Sequence, residues 1–367
     1  MSDKGTSFPP PARRRWLRCA LGFGLIGLAP AWPPVARAGT DDDGGAPASR
    51  QETLPLDPSL EQRILALDPE HIPAAEVRDL LSRAPAPRII CLQGSAAFIS
   101  MKPFAEFLIA MGYPKTKLRD PVDGSMSRSS FGDSEQLAGE MAWYYENEGM
   151  MPILIGHSQG GMLAIKVLYE FNGSFHREIP VWNPLTRSAE PRTGIVDPLS
   201  GRERPVVGLK VGYVAALATG KLPRFLLGQW DMMGKLRAIP DTVEDFTGFT
   251  IEWDMIAGTP PGSEAYHADG TAHVRNIELP PQTSHIRMPR TRYLTGQRAT
   301  RQWIDDYDPA APLPPLPEGP GIDAANIVHA ADIWYSVKKH WCIEAQRLLR
   351  ARHAHAGASG EPLTSNR

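Results

Sequence analysis

The twenty residues from Pro152 to Phe171 constrain the fold of this chain more than any other stretch. Pro152-Ile153-Leu154-Ile155-Gly156 is a continuous apolar run of strand length. It passes without a spacer into Gly156-His157-Ser158-Gln159-Gly160-Gly161, and Gly161 to Phe171 then reads as a helix that is apolar nearly all round. A short run that is apolar throughout fits a strand buried on both faces, as in a parallel sheet covered by helices. A serine between glycines at a strand-to-helix turn is the setting in which a hydroxyl is exposed as a nucleophile. Gly156 and Gly160 remove side chains that would collide as the turn folds back, and Gly161 lets the helix approach the sheet. The helix N-terminus favours negative charge beside the hydroxyl. Ser158 is therefore the candidate nucleophile.

The rest of the chain alternates in the same way. Arg88-Ile89-Ile90-Cys91-Leu92, behind Pro85 and Pro87, is a second buried-strand pattern. A helix pattern from Met101 to Met111 follows, then a weak strand at Thr116 to Leu118. The segment Ser134 to Asn147 is helical, with Leu137, Met141 and Tyr144 or Tyr145 on one face. Ile179 to Trp182, Phe249 to Trp253 and Val274 to Leu279 supply further strands. Strands alternating with helices predict a doubly wound, mostly parallel α/β sheet. Two stretches interrupt the alternation. Residues 184–247 carry Pro, Arg and Gly punctuation and an apolar helical block through Phe225, Leu226, Leu227, Trp230, Met232, Met233 and Leu236. Residues 308–321 form a Pro-rich connector before a long helical pattern from Ile322 to about Arg352. The expected organisation is one domain over 58–307, the connector over 308–321, and a C-terminal helix and tail over 322–367. The 36 prolines, about twice ordinary usage, are sparse between Arg88 and Phe171, where the sheet and the serine turn are built.

The N-terminus has the layout of a cleavable export signal over 1–38: Arg13-Arg14-Arg15-Trp16-Leu17-Arg18, an apolar stretch from Cys19 to Leu28, and Ala36-Arg37-Ala38 as a small-residue cleavage site. The apolar stretch is shorter than the about 20 residues a membrane helix needs, so no stable transmembrane segment is expected after cleavage. The arginine cluster is similar to a twin-arginine signal, with the general secretory route as the alternative; either leads to a periplasmic or extracellular protein. Residues 39–57 read as a flexible leader. Cleavage would remove six of the 39 basic and one of the 41 acidic residues, leaving a net charge of −7. Such a chain has no general affinity for nucleic acid. Cys91 and Cys342 then remain; Cys91, in a strand, reads as a small core residue rather than half of a disulfide.

The strand Arg88 to Leu92 ends in Gln93-Gly94-Ser95-Ala96. With the serine turn, this resembles the α/β-hydrolase superfamily, specifically its esterase and lipase branch, over approximately residues 86–290. The resemblance implies that the backbone N–H groups of Ser95 and Gln159 form an oxyanion hole. It also implies an insertion over the pocket, here a probable helical lid within 184–247, weighed against a plain core helix.

The superfamily's chain order of serine, acid, histidine narrows the partners. His285, in the loop after Val274 to Leu279, is where the family places its general base. His273 begins the strand itself, and His353 with His355 reads as a solvated helix end rather than a metal site. Asp254, directly after Phe249 to Trp253, is the leading acid, with Asp269 and Glu264 as rivals. The chemistry implied is attack by Ser158 on a small-molecule or lipid-like ester, with His285 as base and the acid holding its tautomer. No metal or organic cofactor is expected, since the chain holds no C-x-x-C, H-E-x-x-H or Walker loop. The same triad would serve a thioesterase, an amidase or an acyltransferase, and a catalytically silent scaffold that binds a ligand or partner is the alternative of another class.

Overall fold

A computed structural model describes residues 56–359 except 97, 221–228, 259–262 and 281–282. The export signal, nearly all of the leader, the Phe225 to Leu227 part of the expected lid and the end of the tail lie outside the described residues. At the centre is a five-stranded sheet of β1 (Ile89–Leu92), β2 (Ile153–His157), β3 (Val211–Leu217), β4 (Val243–Ile251) and β5 (His273–Leu279). The strands lie side by side in chain order and every pair is parallel. The fold class is α/β, as the alternation predicts.

Successive side chains of these strands enter two separate apolar clusters, which is the period-two signature of a sheet covered on both faces. Ile89, Cys91, Ile153, Ile155, Tyr213, Ala215, Leu217 and Phe249 face one cluster. It also holds α1 (Pro58–Ala66), α2 (Ala74–Leu81) and α3 (Lys102–Met111), and residues of two C-terminal helices, α6 (Arg298–Asp305) and α7 (Ile327–Ser359). Leu92, Leu154, Val214, Ala216 and Phe246 face the other, with α4 (Ser134–Glu148) and α5 (Gln159–Phe171). The helices start and stop where local chemistry dictates. Asp133 caps α4 by accepting from the Glu135 N–H, and Gly149, at φ 78°, ends it.

Several expectations change. Thr116 to Leu118 is not a strand: Lys115–Lys117 is a single 3-10 turn. Of Ile179 to Trp182 only Trp182 is extended, in a ribbon of Trp182–Asn183 with Ser188–Ala189 outside the main sheet, because Pro180 and Pro184 bracket it. The described residues of 184–247 hold the Ser188–Ala189 half of that ribbon, a second ribbon of Gly194–Val196 with Glu203–Pro205, all of β3, a 3-10 turn at Trp230–Met232, the short strand Ala238–Pro240 and the start of β4. The C-terminal helix is an integral wall of the core: Trp334 and Trp341 are almost wholly buried. Cys91 and Cys342 are both buried and unpaired, and burial pushes each thiol up to about 12. Among the described residues no helix is long and apolar enough to cross a membrane.

β4 begins earlier than its apolar residues suggest, and α7 explains why. Asp245, within β4, accepts from His340 and Lys339 of α7 and from His273 of β5. Nearby, Arg275 of β5 forms a two-pronged pair with Asp332 of α7 at 2.6 and 2.9 Å, and the Tyr307 hydroxyl donates to the same carboxylate. Asp332 is fully buried. Removing one partner of such a pair strands the other charge, so Asp332→Ala is expected to cost about 3–5 kcal/mol in urea unfolding. Loss of less than about 1 kcal/mol would show that the pair does not hold α7 to the sheet.

Candidate functional site

The C-terminal ends of the parallel strands, where α/β sheets open their crevices, bring together most of the residues singled out above. Ser158 stands between β2 and α5 with φ 54° and ψ −118°. This is the mirror image of an extended L-residue conformation, open to glycine and strained for a residue with a Cβ. The surroundings hold it there: its N–H donates to Leu217 of β3, and its C=O accepts from the Thr219 hydroxyl. A Cβ on Gly156 would run into the backbone of Gly160 and Gly161, and one on Gly160 into the Leu92 and Gln93 carbonyls. The glycines of the motif are thus set by close backbone packing.

His285 and Asp254 are both buried, on the loops after β5 and β4. The His285 Nδ1–H donates to Asp254 Oδ2 at 2.6 Å. The other carboxylate oxygen accepts from the N–H groups of Ile256 and Ala257, each at 3.0 Å. Burial alone would raise the Asp254 carboxyl, but the His285 hydrogen bond and the two backbone donors outweigh it and hold the group below its ordinary 3.8. Its contribution to stability is therefore complete above that ordinary value and is lost as pH falls through the lower folded one.

Of the three candidate carboxylates, Asp254 is the one bonded to His285. Asp269 lies just before the N-terminal end of β5, while His285 follows its C-terminal end. Glu264 is exposed and 4.0 Å from His267.

Ser158 and His285 meet through His157. The His157 Nε2–H donates to the His285 carbonyl at 2.9 Å, and the two imidazoles pack against each other tilted by 59°, with centroids 4.9 Å apart. The Ser158 hydroxyl is not hydrogen-bonded to His285 in this structure; catalytic hydrogen bonds of this kind tighten in the Michaelis complex. Burial, and then the neighbouring His285, push His157 down to about 3, so it is neutral. Sequence alone does not single out His157; the signal it offers is a histidine at the end of a buried strand.

Gly94 packs directly on Ser158: a Cβ there would lie 3.3 Å from the Ser158 Cβ. This sets the Gly94-Ser95 segment beside the serine. Gln159 is the first residue of α5, where N–H groups have no intrahelical acceptor. The loop before Ser95 is tied down by Gln93, whose side chain accepts from the Ser127 hydroxyl while its N–H donates to the Arg128 carbonyl.

Apolar side chains stand out on the loops that carry these groups. Phe98 is 78 % exposed, Trp253 64 % and Met255 80 %, and Ile256 and Ile286 are exposed too. Trp253, beside Asp254, has φ 60°, a strained conformation for a bulky residue. An apolar cavity of about 210 Å³ lies between the loop after β5 and the start of α7, its lining including Leu279, Pro280, Thr283, Leu316, Val328 and His329. A larger, polar groove of about 360 Å³ runs along the outer edge of β1. Its Arg88, Lys117 and Arg128 are matched by Glu148 and Glu140. Among the described residues no group of His, Cys, Asp and Glu is arranged to hold a metal ion. The chain matches no protein-family model, no curated protein and no solved structure.

Proposed function

We propose that this chain is a serine hydrolase of the α/β-hydrolase type that cleaves carboxylic esters with an apolar acyl or alcohol group, and that it is exported by its N-terminal signal with cleavage after Ala38. The observation that carries the reading is the 2.6 Å bond between His285 Nδ1 and Asp254, formed beside a serine held at φ 54° on a strand-to-helix turn. An imidazole that donates through Nδ1 to a carboxylate has Nε2 free to accept a proton, and a strained strand-to-helix turn is where a nucleophilic hydroxyl is held.

In the proposed reaction the Ser158 oxygen attacks the ester carbonyl as its proton passes to His285 Nε2. The Asp254 carboxylate balances the imidazolium that forms. The Ser95 and Gln159 N–H groups stabilise the tetrahedral oxyanion. The proton then leaves with the alcohol, and water releases the acyl group by the same steps in reverse. The exposed Phe98, Trp253, Met255, Ile256 and Ile286 around the site support an apolar ester. The described part of the proposed cap is the segment from Gln229 to Arg237, anchored on α5 by the Lys166 contacts to Gln229 and Asp231.

A fluorophosphonate probe tests the reading. The purified mature chain is expected to take up one equivalent, with the adduct on the peptide carrying Ser158. An unlabelled chain, or labelling on another residue, would sink it.

A further inference from the structure

The base of the proposed reaction sits in a loop, and loops move unless their backbone is held. A proton-transfer group must keep its place to within a few tenths of an ångström. From His285 to Arg290, four backbone carbonyls are held by side chains from outside the loop. The His157 Nε2–H donates to His285 O at 2.9 Å, and the His329 Nε2–H to Met288 O at 3.0 Å. The Asn326 amide donates to Arg287 O at 3.0 Å and Arg290 O at 3.2 Å. His157, His329 and Asn326 are all buried. Two come from the start of α7, and the third is the residue before the serine.

We infer that His157, His329 and Asn326 are positioning residues that fix the base loop, and that His157 in particular locks His285 to the backbone that aims Ser158. The inference rests on the serine-hydrolase reading. Its logic is one of registry: the donor His157 and the base His285 lie 128 residues apart in sequence, and a single peptide unit joins the nucleophile to the donor that grips the base's carbonyl. A carbonyl only accepts, so both imidazoles carry their proton on Nε2. Burial suits them to the task, pushing His157 down to about 3 and His329 to about 4. Both stay neutral while His285 gains and loses a proton, so no second positive charge arises against the imidazolium.

Two replacements of His157 separate the donor from the bulk. His157→Leu keeps an apolar side chain without a donor; His157→Gln places an amide N–H near the Nε2 position. With the fluorophosphonate and a soluble ester, His157→Leu is expected to lower the labelling rate and kcat by about 10- to 100-fold, the scale of loss when reacting groups are misplaced by up to about 1 Å, with KM within about twofold. His157→Gln should recover most of the loss. Amide hydrogen exchange over residues 285–291 should quicken in His157→Leu and not elsewhere. A folded His157→Leu protein with undiminished kcat, or a His157→Gln protein as slow as His157→Leu, overturns the inference. If the wild-type chain takes no label, the hydrolase reading fails instead, and the exchange arm still decides whether His157 holds the loop.

Discussion

Ser158→Ala is expected to lower kcat for a soluble ester by about 10⁵- to 10⁶-fold, leaving KM within a few-fold and the fold intact. That range is what loss of a nucleophile costs a serine hydrolase whose oxyanion donors and binding groups remain. Ser158→Gly makes the stronger test. It removes the same hydroxyl, but at φ 54° and ψ −118° glycine is relaxed where serine is strained. The glycine variant should be as inactive as the alanine variant and more stable than wild type by about 1 kcal/mol in urea unfolding. Stability rising as activity vanishes is the mark of strain kept for function. Activity in either variant within tenfold of wild type would remove Ser158 from the mechanism; a less stable glycine variant would show that the turn's geometry is relaxed after all.

The parts of this molecule most legible in its sequence are those where one physical demand dominates. β1 and β2 are buried on both faces, so they read as unbroken apolar runs, and the glycines around Ser158 are demanded by backbone contacts with Gly160, Gly161 and the Leu92 carbonyl. Asp254 and His285 could be named because the resemblance to the superfamily implies an acid and a base on the loops after those strands, even though β4 and β5 are less uniformly apolar. What the sequence hid was governed by tertiary partners. Val211–Leu217 is as apolar as β2 and fully buried, but an apolar run without clear punctuation does not declare itself strand or helix. It lies within 184–247, the stretch expected to carry the lid. The first half of β4 carries Glu244, Asp245 and Thr247, which look like loop. They are strand because α7 and Arg275 supply their hydrogen-bonding partners. No local pattern announces an ion pair made with a helix about a hundred residues later.

The same limit applies at the site. The pentapeptide drew attention to Ser158 and its glycines, while His157 between them looked like a spacer. Its role depends on a carbonyl 128 residues away. Likewise Thr219, whose hydroxyl donates to the Ser158 carbonyl, and Asn326 and His329 at the start of α7 act on backbone groups. Backbone carbonyls are the same in every residue, so sequence alone marks neither donor nor acceptor.

Asp254→Asn is expected to lower kcat by about 10³- to 10⁴-fold at neutral pH while changing the volume of the side chain very little. The argument is one of tautomers. In the wild-type chain Asp254 Oδ2 only accepts, so His285 Nδ1 must carry a proton and Nε2 is bare. The other oxygen is taken by the Ile256 and Ala257 N–H groups, so an asparagine would turn its own carbonyl towards those donors and its NH₂ towards His285. The imidazole would then accept through Nδ1 and carry its proton on Nε2, facing the serine with a donor where a base is needed. The loss should shrink at high pH, as hydroxide substitutes for the missing base, whereas the Ser158→Ala loss should not. Fluorophosphonate labelling should slow in parallel with kcat, and KM should stay within a few-fold. An Asp254→Asn enzyme with nearly full activity at neutral pH would mean that another carboxylate serves His285, and Asp269→Asn and Glu264→Gln, both expected to be silent, would identify it.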